Sequence, residues 1–182
     1  MSNNIVVMGV SGSGKSAVGK AMAEQLGWTF FDGDDYHPHA NVEKMRQGIP
    51  LTDEDRWEWL ATLRQLLRER SKVVLACSAL KPEYRQRLQS ETDNLTFVYL
   101  NGEFDTILSR LKQRKNHYFQ GEKMLRSQFD ALVPPTEEEA IHVDIRSDIA
   151  TVIQQALSLL NQTNSGQVVT AETAALTDRL ST

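Results

Sequence analysis

Gly9-Val10-Ser11-Gly12-Ser13-Gly14-Lys15-Ser16 has the spacing G-x-x-x-x-G-K-[S/T], and the rest of the chain is read outward from this octapeptide. Glycines so spaced let the backbone wrap an anion, with successive N–H groups and a helix N-terminus aimed at phosphate oxygens. The pattern carries weight only between a strand and a helix. Ile5-Val6-Val7-Met8 before it is an apolar, β-branched run, while Val18, Ala21, Met22, Gln25 and Leu26 after it keep helical spacing. Further strand-like runs are Thr29-Phe30-Phe31, Val73-Val74-Leu75-Ala76, Thr96-Phe97-Val98-Tyr99-Leu100 and Ile141-His142-Val143-Asp144-Ile145. Three of the five runs are almost wholly apolar, as parallel strands covered on both faces must be. Helical stripes lie between them: Trp57, Leu60, Leu63 and Leu67, then Phe104, Ile107, Leu108 and Leu111. The alternation predicts an α/β fold, a three-layer doubly wound parallel sheet of about five strands. Thr52 with Asp55 three residues on, after Pro50, predicts a capping box opening the Trp57 helix.

A last helix over about 149–160 would pack Val152, Ile153, Ala156, Leu157 and Leu160 on the sheet. Residues 1–160 then form a single domain, with 161–182 as a loosely ordered tail, rich in Thr, Ser and Ala. At 182 residues the chain can bury one good core. Its net charge of -4 argues against a nucleic-acid partner, because phosphate-backbone affinity comes from clustered Lys and Arg. One cysteine, Cys77, allows no internal disulfide, so a cytoplasmic setting is expected, and Cys77 itself reads as a small buried residue. The apolar run after Met1 is too short for a signal or membrane segment.

The octapeptide specifies nucleotide binding, not what becomes of the nucleotide. No Asn-Lys-x-Asp segment for reading guanine occurs, and the run Val73–Ala76 closes in Cys77-Ser78-Ala79 rather than in an acid. The acidic partner of Mg²⁺ must come from elsewhere. Asp32-Gly33-Asp34-Asp35 follows the second strand, at the carboxyl edge of the expected sheet and beside the phosphates. Ser16 and Asp32 are the expected metal residues, and Asp34 the acceptor of a hydrogen bond from an incoming hydroxyl. Lys15 is expected to reach the β- and γ-phosphates.

The order and spacing of Asp32-Gly33-Asp34-Asp35, His37-Pro38, Asn41, Lys44-Met45, Gly48, Pro50-Leu51, Asp53 to Arg56, Trp59-Leu60, Cys77-Ser78-Ala79-Leu80-Lys81, Tyr84-Arg85, Arg110, Arg114, His117 and Ser127-Gln128-Phe129 resemble the bacterial gluconate kinases. The resemblance runs from about residue 5 to 145 and departs at Val133-Pro134, where Glu is frequent, and at Tyr118, where Phe is usual. It implies a fold like that of the nucleoside monophosphate kinases with a mobile lid over about 112–135. It also implies ATP and Mg²⁺, transfer to the 6-hydroxyl of gluconate, and a homodimer. The alternatives are a P-loop kinase for another small hydroxy acid such as shikimate, and a nucleotide-binding switch module. Nucleotide contacts are then expected from Gly9, Ser11, Gly12, Ser13, Gly14, Lys15 and Ser16, with Arg110 and Arg114 closing from the lid. Lys15, Asp34 and Arg114 take the catalytic roles. Substrate contacts are expected from Asp34, Lys44, Arg56, Lys81 and Arg85. His37 reads equally as a donor to substrate and as part of a turn, and Gln128 as a substrate contact or a brace of the lid.

Overall fold

A computed structural model of the chain describes residues 3–92, 94–113 and 118–179. In chain order the elements are β1 (Asn4–Met8), α1 (Lys15–Leu26), β2 (Thr29–Asp32), a 3-10 turn (Gly33–Tyr36), α2 (His39–Arg46), α3 (Asp53–Glu69), β3 (Val73–Ala76), α4 (Pro82–Gln89), β4 (Leu95–Asn101), α5 (Phe104–Gln113), α6 (Tyr118–Ala131), β5 (Ala140–Asp144) and α7 (Ile149–Arg179). The five strands form one parallel sheet in the order β2-β3-β1-β4-β5. The doubly wound fold read from the sequence is the one observed.

β1 is central and buried at every position. Its side chains alternate between two cores. Ile5 and Val7 join Val18, Met22, Ile107, Val152, Ala156 and Leu160 on one face, while Val6 and Met8 join Trp59, Leu60, Leu63, Leu67, Tyr84 and Leu88 on the other. A strand walled by helices on both faces has to be apolar throughout, which explains the unbroken run.

The predicted capping box of α3 is present: Thr52 Oγ1 accepts from Asp55 N (3.2 Å), and Asp55 Oδ2 accepts from Thr52 N (2.9 Å). The apolar stripe of this helix needs one change. Trp57 lies half-buried beneath the Arg87 guanidinium, 3.7 Å from its ring centroid, whereas Trp59 is buried. Trp59, Leu63 and Leu67 share the i, i+4, i+8 face, and the indole N–H finds the Gly33 carbonyl at 2.7 Å, so the larger ring can be buried there without an orphaned donor. α7 also runs past Leu160 to Arg179, since the apolar stripe ends there but no proline stops the helix.

Buried Asn4 ties the sheet to the end of α3. Its Nδ2 donates to the carbonyls of Leu67 (2.8 Å) and Arg70 (2.9 Å), and its Oδ1 accepts from Val73 N (3.0 Å). Asn4→Ala leaves two helix-end carbonyls and one strand N–H without this partner. It is expected to lower unfolding free energy by about 2–3 kcal/mol, read from the midpoint of urea denaturation, with the far-ultraviolet dichroism of the folded state unchanged.

Candidate active site

The chain leaves β1 into the phosphate loop at the point where the strand order reverses, so the loop opens into the crevice at the carboxyl edge of the sheet. Gly14 precedes α1 with φ 97°, a left-handed conformation costly for any residue with a Cβ. Ser13 Oγ (2.7 Å) and Lys15 Nζ (2.9 Å) both donate to the Val10 carbonyl, which folds the loop back on itself. Burial holds the Lys15 ammonium below its ordinary pKa, with Asp34 pulling the other way. A phosphate brought to this lysine restores its lost solvation with charge.

β2 delivers the carboxylates to the same edge. Gly33 is required there by space: a Cβ on it would lie 2.7 Å from the Ala76 carbonyl at the end of β3. Ser16 Oγ donates to Asp32 Oδ2 at 2.8 Å, while Asp32 Oδ1 accepts from Asp34 N at 3.0 Å and caps the turn. The two residues expected to serve a metal are thus in direct contact. Both offer hard oxygens, as Mg²⁺ prefers, and Mg²⁺ needs only one or two protein ligands beside phosphate and water. Among the described residues no group of three or more His, Cys, Asp or Glu forms a metal cage. Asp34 stands beside them. The protein around the cleft and the Asp32 charge raise its carboxyl above the ordinary range, with Lys15 opposing, yet its side chain is still 84% exposed and thus open to an incoming molecule. Cys77 is buried and its thiol pushed up to about 12, so it supplies no nucleophile.

The wall opposite the phosphate loop comes from α2, α3 and the start of α4. Arg56 donates from Nη1 to the Leu51 carbonyl (2.8 Å) and to Tyr84 Oη (3.3 Å), and lies over the Tyr84 ring. Among the described residues its hydrogen bonds all run from Nη1, which leaves Nη2 and Nε for an anion. The other expected anion-binding residues are engaged within the protein. Lys44 Nζ grips both carboxylate oxygens of Asp55 (3.0 and 2.8 Å), a contact that with the Thr52 N–H brings that carboxyl down to about 2. Lys81 Nζ lies 3.0 Å from Asp53 Oδ1, to which Tyr84 Oη also donates. Arg85 is 5% exposed and donates to the carbonyls of Ala79 (2.9 Å) and Val133 (3.0 Å). It holds Ala79, which has φ 46°, and thereby shapes the segment after β3 instead of facing the cleft.

On the nucleotide side, Gln128 Oε1 accepts from Ser11 N, so α6 is fastened to the phosphate loop in this structure. Arg110 Nη2 donates to the Ile145 and Ser147 carbonyls, on the loop after β5. Arg114 and His117 lie outside the described residues. A separate concavity of about 550 Å³ between α4 and the end of α6 shares Lys81 with the candidate site.

The sequence assigns no role to Asn41, Asp53, Trp59 or Tyr84, which the fold brings beside the candidate residues. Trp59 stacks on His37 with ring centroids 4.3 Å apart, and Asn41 Nδ2 donates to the Asp55 carbonyl (2.7 Å) and lies 3.4 Å from His37 Nδ1. Their signal in the sequence is their place beside charged candidates: Tyr84 next to Arg85, Asp53 three residues before Arg56.

A protein of Escherichia coli (strain K12) described as a thermosensitive gluconokinase is 38% identical over 182 residues, covering 97% of both chains. The chain belongs to the gluconokinase family. A probable gluconokinase of Xenopus tropicalis is 44% identical over 171 residues, covering 83% of this chain and 90% of the relative. The crystal structure of a gluconokinase from Sinorhizobium meliloti 1021 superimposes with a TM-score of 0.87 at 40% identity, covering 92% of this chain and 97% of that one. The shikimate kinase family profile matches residues 11–164, and a shikimate kinase from Bacteroides thetaiotaomicron shares the fold at 17% identity and TM-score 0.64. Gluconokinases and shikimate kinases are therefore built on one scaffold, and this chain stands with the gluconokinases.

Arg85→Ala removes both carbonyl contacts of a buried cation. Unfolding free energy should fall by about 2–4 kcal/mol, seen as a lower guanidinium midpoint, whereas the KM for the acceptor in the folded fraction should change less than twofold.

Proposed function

We propose that the protein transfers the γ-phosphoryl group of ATP to the 6-hydroxyl of D-gluconate, giving 6-phosphogluconate and ADP. The observation that carries this reading is the contact of Ser16 with Asp32 at the mouth of the phosphate loop, with Asp34 open to the cleft beside it. Family membership supports gluconate as the acceptor.

Loop N–H groups and Lys15 hold the phosphates, and Arg56 turns its free nitrogens to the substrate carboxylate. Asp34 accepts a hydrogen bond from the attacking hydroxyl and orients its lone pair toward phosphorus. The P–O bond to ADP breaks as the new bond forms, and the hydroxyl proton leaves late, so Asp34 serves mainly by positioning. Mg²⁺ held by Ser16 and Asp32 would neutralise charge building on the phosphate oxygens. The segment over about 112–135 acts as a lid, with Arg110 and Arg114 drawn to the triphosphate and water excluded. Closure has to release the Gln128 bond to Ser11 or carry it along. A cytoplasmic homodimer, as the family resemblance implies, completes the proposal.

ADP release coupled to a dye-linked assay, run against a panel of sugar acids including shikimate, tests the reading. Gluconate-dependent turnover is expected, with phosphate found on the 6-oxygen; turnover with shikimate and none with gluconate would overturn it. Asp34→Asn is expected to lower kcat by about 100-fold or more while Mg-ATP affinity, measured by calorimetry, stays within threefold.

A further inference from the structure

The His37 ring is held in a way that fixes which nitrogen carries its proton. Asn41 Nδ2 donates to the Asp55 carbonyl at 2.7 Å, and a carbonyl cannot donate in return, so the amide NH₂ and not the amide oxygen occupies that position. The same Nδ2 lies 3.4 Å from His37 Nδ1. An amide NH₂ has only protons to offer, so Nδ1 must present its lone pair, and in the neutral ring Nε2 then bears the hydrogen. Trp59, stacked on the ring with an interplanar angle of 14° and anchored through its own N–H to Gly33, prevents the imidazole from turning over. The His37 side chain is 5% exposed, and its Nε2 lies 4.0 Å from Asp34 Oδ1, without a closer partner among the described residues. Burial and the nearby Arg56 charge lower the ring's pKa to about 4, which keeps it neutral at physiological pH.

We infer that His37 is a neutral, tautomer-fixed donor that works with Asp34 as a reader of one substrate hydroxyl, and that Asn41 is the positioning residue that fixes its tautomer. An oxygen at an ordinary hydrogen-bond length of roughly 2.8 Å from each atom bridges the 4.0 Å gap with neither side chain moving. Such an oxygen donates to the Asp34 carboxylate and accepts from His37 Nε2–H. A hydroxyl does both, whereas an ammonium cannot accept and a carboxylate cannot donate. The pair thus selects an alcohol at the position where phosphoryl transfer occurs, and the His37 hydrogen bond leaves the second lone pair of the oxygen aimed away from the ring. The hydroxyl role rests on the proposed reaction; the tautomer does not.

The test uses the full chain labelled with ¹⁵N in the histidine rings, with long-range ¹H–¹⁵N correlation spectra at pH 7. The His37 signals are assigned from their loss in His37→Gln, or by elimination using His39→Gln, His117→Gln and His142→Gln. A protonated Nε2 and an unprotonated Nδ1 are expected with and without gluconate; the opposite tautomer, or a charged ring, overturns the inference. In kinetics, His37→Gln restores an N–H near the Nε2 position and should keep kcat/KM for gluconate within about threefold, while His37→Leu should lose about tenfold or more with KM for ATP unchanged. Equal losses in the two variants overturn the donor role. If no sugar acid is phosphorylated, the reaction assignment fails, while the ring spectrum still decides the tautomer.

Discussion

A parallel sheet releases its chain after every strand at the same edge, and here everything chemical depends on that edge being narrow. Gly33 passes so close to the Ala76 carbonyl that no side chain fits between them. This approach lets the turn after β2 sit against the end of β3, within reach of the helix that follows the phosphate loop. Only then can the Ser16 hydroxyl touch Asp32 across sixteen residues of chain. The contact joins the start of α1, after the glycine-rich loop, to the acidic turn after β2, the two elements proposed to hold phosphate and to meet the acceptor.

The rest of the cleft is organised around charges that neutralise one another before any ligand arrives. Lys44 is paired with Asp55 and Lys81 with Asp53, while Arg85 lies 4.0 Å from the Glu139 carboxylate and donates to two carbonyls. The two partly exposed pairs, Lys44–Asp55 and Lys81–Asp53, hold α2, α3 and the start of α4 in register around Tyr84 and Arg56. The three acids of the first turn of α3, Asp53, Glu54 and Asp55, also favour the helix N-terminus through its macrodipole. Among the described residues around the cleft, the outer nitrogens of Arg56, the Asp34 carboxylate and His37 Nε2 keep hydrogen-bonding capacity for a ligand. A sugar acid has an anion at one end and hydroxyls along its length, and those three groups match that chemistry.

Much of this was legible in the sequence because it follows from periodicity and from motifs with strict spacing. The loop, the five strands, the capping box at Thr52 and the acidic turn all have local signals. The partners of the charged residues have none. Whether Lys44 faces a ligand or Asp55 depends on the angle between α2 and α3, and whether Arg85 points to the cleft or inward depends on the left-handed turn at Ala79. Trp57 and Trp59 are two residues apart on one helix; Trp59 shares the face of Leu63 and Leu67, and the Gly33 carbonyl that satisfies its buried N–H has no local signal. Asn41 carries no periodic signal, yet it sets the state of His37.

A crystal structure with gluconate, Mg²⁺ and a non-hydrolysable ATP analogue bound tests the central claim most directly, namely that Asp34 and the loop meet at one hydroxyl. The account predicts the 6-hydroxyl oxygen within about 3.2 Å of Asp34, in line with the γ-phosphorus, and the gluconate carboxylate on Arg56. A carboxylate lying beside the phosphate loop, with the 6-hydroxyl remote from Asp34, would contradict it.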